Sequence, residues 1–261
     1  MRLTFLGTGT SFGVPVVGCD CETCTSDDPR DRRTRHGALV EMDGGTLLVD
    51  TPPELRLQLL ANRITAVDAV WFTHVHADHV HGIDDLRIFT VRGGPSLRGY
   101  VAADHVELLT NYFRYIFDDS VQPAAGSSKP RAELVPYEGG RPVEVLGESV
   151  LPVRVPHGPM DVFGFRVGGL GYVTDAKTLP PEAVAALRGV DVLVLNALWW
   201  GRSHAAHLTI DEAIEASRAV GARRTYLTHL THRVTQAQLD RQLPDGVFGA
   251  YDGLSIEIDH G

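Results

Sequence analysis

The chain has 261 residues, of which 43% are hydrophobic and 22% are charged, and this composition excludes a disordered or collagen-like protein. Its formal charge of -9 opposes nonspecific attraction to nucleic acid or to an anionic membrane, so neither is the expected partner. All 3 cysteines fall within residues 19–24, too close for a disulfide framework, which indicates metal-binding thiolates in a reducing compartment.

The N-terminal segment lacks an apolar core of signal-peptide length, and the chain contains no apolar run of transmembrane length. These features predict a cytoplasmic protein that does not bind membranes. A chain of this length can bury a sizeable core without disulfides, so we predict one domain over residues 1–261. The sequence leaves open whether that domain forms a homodimer.

Short β-like segments dominate the chain. In order they are RLTFLG, GALVEM, TLLVD, DAVWFTH, LRGYVA, VEVLG, VLPVRVPH, FGFRVGG, GYVTD, VDVLVLNA, RRTYLTH and LSIEID. Helices are predicted near residues 53–61, 104–116, 180–188, 209–220 and 235–242. Glycine-containing turns between neighbouring strands favour hairpins, so the pattern predicts an α/β fold of mixed sheets covered by helices. Residues 118–131, rich in Pro, Gly and Ser, predict a loop that is either a substrate lid or a connector.

A histidine-rich motif, HVHADH at residues 74–79, follows the predicted strand that ends near Phe72. Because strand side chains alternate, His74 and His76 point to the same side and can share one metal ion. Asp78 and His79 come after the chain turns and can address a second ion. This packed spacing predicts a two-metal centre rather than a solvated histidine-rich loop.

Further ligands are available at the ends of three later β-like segments. His157 ends VLPVRVPH, Asp175 ends GYVTD, and His229 ends RRTYLTH. Each would lie on a loop at the end of a strand, where a rigid sheet can position it. Together with HVHADH they make one consistent ligand set.

The HVHADH motif, followed by a distant His, an Asp and a final His, resembles the metallo-β-lactamase superfamily over nearly the whole chain. The resemblance implies an αββα sandwich of two mixed β-sheets flanked by helices, with a dinuclear site at one edge of the sheets. It implies that the first ion is bound by His74, His76 and His157. It implies that the second ion is bound by Asp78, His79 and His229, with Asp175 bridging both ions. Asp50 matches the aspartate that orients the site without binding metal.

A second motif is the C-x-C-x-x-C spacing of Cys19, Cys21 and Cys24. Their thiolates can converge on one tetrahedral ion, and structural zinc sites are closed by four Cys or His ligands. Because the chain has no fourth cysteine, a histidine should complete the site, and we predict that it is His232. The alternatives are a buried apolar cysteine cluster or a redox pair.

The N-terminal GTGTSFGVP, the cysteine motif and the late THLTH narrow the resemblance. With HVHADH they are similar to the phosphoribosyl 1,2-cyclic phosphate phosphodiesterases of the bacterial carbon-phosphorus lyase pathway. That family implies opening of a cyclic phosphodiester on a phosphorylated ribose and a structural zinc held by three cysteines and one histidine. The pyrroloquinoline quinone biosynthesis proteins share the cysteine spacing but lack the complete histidine motif, so they match less well.

These observations predict a metal-dependent phosphodiesterase that hydrolyses a small cyclic phosphodiester, such as 5-phosphoribosyl 1,2-cyclic phosphate. A hydroxide held between two zinc or manganese ions would attack the phosphorus, and loss of Asp78 should abolish turnover. His207 is the candidate acid for the leaving oxygen, because its position resembles that of an accessory histidine in phosphodiesterases of the superfamily, and His204 is the competing candidate.

Candidate phosphate contacts are Lys177, Arg202 and the arginines of residues 30–35, and the sequence does not choose among them. A charge run is usually a solvated face, which is what we expect of residues 30–35.

The main alternative function is that of a nuclease of the same superfamily that acts on RNA or DNA ends, although the acidic composition argues against nucleic-acid binding. A noncatalytic metal-binding member and a β-lactam or thioester hydrolase are further alternatives, because fold alone does not select a chemistry.

Overall fold

A computed structural model describes residues 1–91 and 94–259 of the chain. Within these residues the strands form two sheets of seven strands each. The first sheet contains β1 (Arg2–Gly7), β2 (Gly37–Met42), β3 (Gly45–Val49), β4 (Ala69–Phe72), β5 (Leu97–Ala102), β6 (Ala132–Tyr137) and β14 (Ser255–Glu257). The second sheet contains β7 (Val143–Val145), β8 (Glu148–His157), β9 (Met160–Val167), β10 (Leu170–Val173), β11 (Val192–Asn196), β12 (Arg224–Thr228) and β13 (Val247–Gly249).

Both sheets mix parallel and antiparallel pairs. The first has the order β14-β1-β2-β3-β4-β5-β6, antiparallel from β14 to β3 and parallel from β3 to β6. The second has the order β13-β12-β11-β10-β9-β8-β7, parallel from β13 to β10 and antiparallel from β10 to β7. The predicted α/β fold of two mixed sheets is therefore confirmed.

Helices cover the outer face of each sheet. They are α1 (Leu55–Ala61), α2 (Ala77–Val80), α3 (Arg87–Val91), α4 (Val106–Tyr112), α5 (Arg114–Phe117), α6 (Pro181–Leu187), α7 (Ile210–Val220) and α8 (Gln236–Gln242). Single 3-10 turns occur at Pro29–Asp31, Ile83–Leu86 and Ala103–His105. In the part of the chain that the structure describes, no helix has the length and apolar character needed to cross a bilayer.

Three apolar layers hold this arrangement together. Between the sheets, Trp71 of β4 stacks on Tyr137 of β6 with ring centroids 4.3 Å apart, and Phe165 of β9 packs in the same cluster. The alternate residues of β4, Val70 and Phe72, face away from that layer and pack against α1. A corresponding outer layer joins the second sheet to α6, α7 and α8. A strand that is covered on both faces has apolar residues at consecutive positions, so these strands were easy to identify in the sequence.

Several boundaries differ from the prediction. The helix predicted over residues 104–116 is interrupted at Phe113, and α2 and α3 were not predicted. Two strands, β6 and β13, were missed because β6 contains Pro136 and β13 has only three residues; both lie at sheet edges, where proline and short strands are tolerated. Residues 118–131 form a loop, as predicted.

Helix α7 begins with a capping box in which Thr209 and Glu212 exchange side-chain and backbone hydrogen bonds. It ends at Gly221, whose φ of 72° is the left-handed conformation that favours glycine at a helix end. This fixed start holds the preceding segment, which contains His207, against the carboxyl end of the second sheet.

Candidate metal centre

Several of the predicted site residues lie at strand ends, and three of them have uncommon backbone conformations. His74 lies just after β4, and His157 is the last residue of β8. Asp50, Asp175 and His229, just after β3, β10 and β12, have left-handed φ angles of 62°, 54° and 56°. Each such conformation at a non-glycine residue costs roughly 1–3 kcal/mol and persists only where its surroundings impose it. The surrounding structure therefore imposes the backbone conformation at these three positions, and this conformation determines where their side chains lie.

The first cluster consists of His74, His76 and His157, whose ligand nitrogens lie within 4.8 Å of one another. Nε2 of His74 is 3.0 Å from Nδ1 of His76. Oδ2 of Asp175 lies 3.7 Å from Nε2 of His74 and 3.9 Å from Nε2 of His157. Three imidazole nitrogens and one carboxylate oxygen thus converge on one small space, and divalent first-row ions accept such a donor set.

The second cluster consists of Asp78, His79 and His229, again with ligand atoms within 4.8 Å of one another. Oδ2 of Asp78 is 3.6 Å from Nε2 of His79 and 4.0 Å from Nε2 of His229. Oδ2 of Asp175 is 3.5 Å from Nε2 of His79, and its Oδ1 is 3.3 Å from Nε2 of His229. Asp175 therefore lies between the two clusters, where the bridging carboxylate is predicted.

Buried nitrogens without partners test whether metal ions fit this space. Across residues 1–91 and 94–259, Nε2 of His79 and Nε2 of His229 are buried and find no hydrogen-bond partner. Such orphaned polar atoms are costly, and metal ions would satisfy them. Burial holds the pKa of His74 well below its usual value and lowers the pKa of His229 to about 4. His74 and His229 are therefore neutral, which is the form that binds metal. Burial also opposes protonation of His79, but the carboxylates of Asp175 and Asp78 raise its pKa well above the usual value, so a metal ion bound there would displace a proton. The donor set fits two divalent ions.

Asp50 lies fully buried behind His79. Its Oδ1 accepts the Thr73 backbone N–H at 2.8 Å, and its Oδ2 accepts the Thr73 hydroxyl at 2.7 Å. Nδ1 of His79 is 2.7 Å from Oδ2 of Asp50. Because a carboxylate accepts, Nδ1 carries the proton and the lone pair of Nε2 faces the second cluster. The contact with Asp50 fits the predicted orienting role.

His36 was not identified from the sequence, yet it is fully buried beneath the second cluster. Its ring centroid is 5.5 Å from that of His79 and 6.1 Å from that of His229. Nε2 of His36 is 2.7 Å from the Tyr172 hydroxyl, and its Nδ1 is 3.3 Å from the Thr228 hydroxyl. A single histidine after a run of arginines carries no local signal for this position.

His207 lies at the metal centre. Its ring stacks on that of His229, with centroids 5.0 Å apart, and its Nε2 is 3.4 Å from Oδ2 of Asp175. Its Nδ1 is 3.2 Å from Nδ1 of His204, so the two competing acid candidates are neighbours. The unassigned His81 instead packs against Phe113, on the ring edge.

The three cysteines of the motif converge on one histidine, His232. The Sγ atoms of Cys19, Cys21 and Cys24 lie 3.3, 3.4 and 3.7 Å from Nδ1 of His232. None of these cysteines forms a disulfide. Although burial opposes ionisation of Cys21, hydrogen bonds from the Cys24 backbone and the neighbouring thiols lower its pKa to about 7. The four ligand atoms lie within 4.8 Å of one another, as a tetrahedral ion requires.

Arg33 contradicts the expectation that residues 30–35 form a solvated face. Its side chain is buried, and its Nη1 donates to the carbonyls of Thr231 and Val234 at 3.3 and 3.0 Å. Its guanidinium also lies 3.5 Å from Oδ1 of Asp31. Arg33 is therefore out of reach of a substrate phosphate, and it braces the loop after β12 that supplies ligands to both metal sites.

Three of the other predicted phosphate contacts are already paired with carboxylates, whereas Arg32 and Arg202 form no ion pair in the described part of the chain. These pairs are Arg30 with Asp28 and Asp240, Arg35 with Glu54, and Lys177 with Glu212. Lys177 also donates to the Ser203 hydroxyl at 2.8 Å, so it organises the segment before α7. These cations are consequently engaged in holding the protein together.

A cavity of about 460 Å³ opens beside His207 and His229. We call it the side cavity; Phe12, Trp199 and Arg233 also line it. Two larger cavities, of about 760 and 560 Å³, contain none of the predicted metal ligands, so size alone does not locate the site.

Comparison with known proteins gives four informative similarities. A family model described as "Beta-lactamase superfamily domain" matches residues 46–230. A Porphyromonas gingivalis protein named octanoyltransferase is 34% identical over 99% of this chain, but the chain spans only 52% of that protein's length. A Myxococcus xanthus protein named ribonuclease Z is 27% identical and covers 99% of this chain and 98% of its own length. A solved structure described as a new diphosphatase from the PhnP family is 36% identical, with a TM-score of 0.90, covering 99% of this chain and 98% of its own.

Proposed function

This chain belongs to the β-lactamase superfamily, and we propose that it is a metal-dependent phosphodiesterase that opens a small cyclic phosphodiester. The position of Asp175 between two histidine clusters carries the proposal, because it predicts two ions close enough to act on one phosphate. The similar proteins named as a diphosphatase and a ribonuclease both have names that denote cleavage at phosphate. The side cavity has the size of a small-molecule site.

Two divalent ions, zinc or manganese, would lower the pKa of a bound water and neutralise charge on the phosphate oxygens. The first ion would be held by His74, His76 and His157. The second would be held by Asp78, His79 and His229, with Asp175 shared. Asp50 fixes the proton of His79 on Nδ1, so that the lone pair of Nε2 remains available to the ion.

We propose that His207 protonates the leaving oxygen. The Ala206 backbone N–H donates to Nδ1 of His204, so this nitrogen is an acceptor and Nδ1 of His207 must donate to it. As an acid His207 would carry protons on both ring nitrogens, and the proton that it gives up would be the one on Nε2, the nitrogen 3.4 Å from Oδ2 of Asp175. A leaving alkoxide at the centre would take this proton, which makes His207 the acid and His204 its positioning partner.

We propose that the cysteine site (Cys19, Cys21, Cys24 and His232) holds a structural zinc. Three thiolates and one imidazole form a closed donor set with no position left for substrate, which is typical of structural rather than catalytic zinc. His232 lies three residues beyond His229, so this zinc would anchor the loop that also carries a ligand of the metal centre.

Phosphorus NMR of metal-replete protein tests the proposed reaction. We expect opening of 5-phosphoribosyl 1,2-cyclic phosphate to exceed that of a 2′,3′-cyclic nucleotide, and the Asp78→Ala variant to lose both activities while staying folded. Faster opening of the nucleotide would support the proposed reaction but contradict the proposed phosphoribosyl substrate. Absence of turnover with either compound would refute the proposal.

Similarity to a protein named ribonuclease Z supports a second candidate, a nuclease acting on RNA ends. The net charge of -9 opposes that role, because binding to a nucleic-acid backbone depends on neutralising phosphates. Measuring tRNA affinity against salt concentration separates the candidates. A nuclease should bind tRNA with a steep salt dependence, whereas the proposed enzyme should show almost no binding.

A further inference from the structure

Arg233 lines the same side cavity as His207 and His229, and we infer that it binds a second, non-reacting phosphate of the substrate. The inference rests on the proposed function. It assigns a residue to the 5-phosphate of the substrate proposed above, a phosphomonoester that the reaction leaves intact. Arg233 would thereby be a specificity-determining residue rather than part of the reacting centre.

The guanidinium of Arg233 is held in place by Trp199. Its Cζ lies 4.4 Å from the centroid of the Trp199 ring, a cation–π contact. The ring itself is fixed, because its Nε1 donates to the Arg202 carbonyl at 2.8 Å. Stacking occupies one face of the guanidinium but leaves its N–H groups at the edge available for an anion. This contact favours one orientation of the exposed Arg233 side chain before any substrate binds.

The charged side chains that line the side cavity favour the binding of an anion. In the described part of the chain, Arg233 forms no ion pair with a carboxylate, in contrast to the paired Lys177 and Arg35. Among the described residues that line the side cavity there is no Asp or Glu. An unpaired guanidinium in such a lining is suited to a phosphomonoester dianion, which accepts paired N–H groups.

The shape of the cavity links this cation to the reacting centre. His229, a predicted metal ligand, and His207, the candidate acid, line the same continuous space as Arg233. A volume of about 460 Å³ accommodates one small molecule. A sugar with its cyclic phosphodiester at the metal centre could therefore direct a terminal phosphate toward Arg233.

Calorimetry on metal-replete protein tests this without requiring turnover. The probes are ribose 5-phosphate and ribose, titrated into the wild type, Arg233→Gln and Arg218→Gln, the last an exposed arginine of α7 that does not line the cavity. Loss of charged hydrogen bonds should weaken binding of ribose 5-phosphate about 10- to 100-fold in Arg233→Gln. We expect no change in Arg218→Gln and intermediate binding in Arg233→Lys, which keeps the charge but loses the planar stack.

Equal ribose 5-phosphate affinities for the wild type and Arg233→Gln would overturn the inference, as would weakened tRNA binding with unchanged ribose 5-phosphate binding. The proposed function is tested separately by turnover. If the wild type opens cyclic phosphodiesters and Arg233→Gln retains full affinity, only the inference fails. If no cyclic phosphodiester is opened but Arg233→Gln loses affinity for ribose 5-phosphate, the phosphate site stands and the proposed reaction fails.

Discussion

Replacing Arg33 by Met tests whether a buried guanidinium braces both metal sites. The substitution removes the donor to the carbonyls of Thr231 and Val234 and the counter-ion of Asp31. A buried group left without its partner costs about 1–3 kcal/mol, and methionine refills part of the volume, so we expect a net loss of about 3 kcal/mol. For 261 residues this lowers Tm by about 5 °C. Because the loop after β12 carries His232, zinc at the cysteine site should also be lost more readily.

Thermal unfolding and zinc release to a chelator measure the two effects on the same samples. Arg32→Met is the matched control, because Arg32 is the exposed neighbour in the same run. The control should melt with the wild type. A Tm for Arg33→Met within about 1 °C of the control, with unchanged zinc release, would refute the bracing role.

Three further predictions concern the two metal sites. Asp50→Asn should weaken metal binding at the centre about 10- to 100-fold, because an amide cannot fix the His79 proton as a carboxylate does; unchanged affinity in a competition titration would contradict this. His207→Ala should depress turnover while metal content stays at the wild-type level, so a variant that loses metal would instead identify His207 as a ligand. Cys21→Ser should lower Tm and zinc content, and a melting curve identical to that of the wild type would remove the structural-zinc proposal.

The residues that converge at the candidate metal centre could be predicted because most of them lie close to the end of a locally visible strand. An apolar run ending in Asp175 or His229 is a signal contained in a few consecutive residues, and the parallel strands β10, β11 and β12 then place such ends at one edge. The convergence of Cys19, Cys21 and Cys24 was visible for the same reason. His232 could be proposed only because a tetrahedral site lacked its fourth ligand.

The roles of Arg33, His36 and Arg233 could not be predicted, because they depend on contacts between distant segments. Arg33 bonds to carbonyls 198 and 201 residues away, and His36 contacts Tyr172 at a separation of 136 residues. The phosphate-binding role proposed for Arg233 depends on its contact with Trp199 and on the cavity that both residues line. Charge in a sequence is usually solvated, so burial of Arg33 becomes evident only when the fold is known.

The central claim is that Asp175 joins two ions into one phosphodiesterase centre. Elemental analysis and hydrolysis of 5-phosphoribosyl 1,2-cyclic phosphate should be measured on the same samples of the wild type and Asp175→Ala. We predict about three ions per chain and turnover for the wild type, and retention of only the cysteine-site zinc without turnover for Asp175→Ala. Undiminished turnover in Asp175→Ala, or an active wild type with a single ion per chain, would contradict the two-metal account.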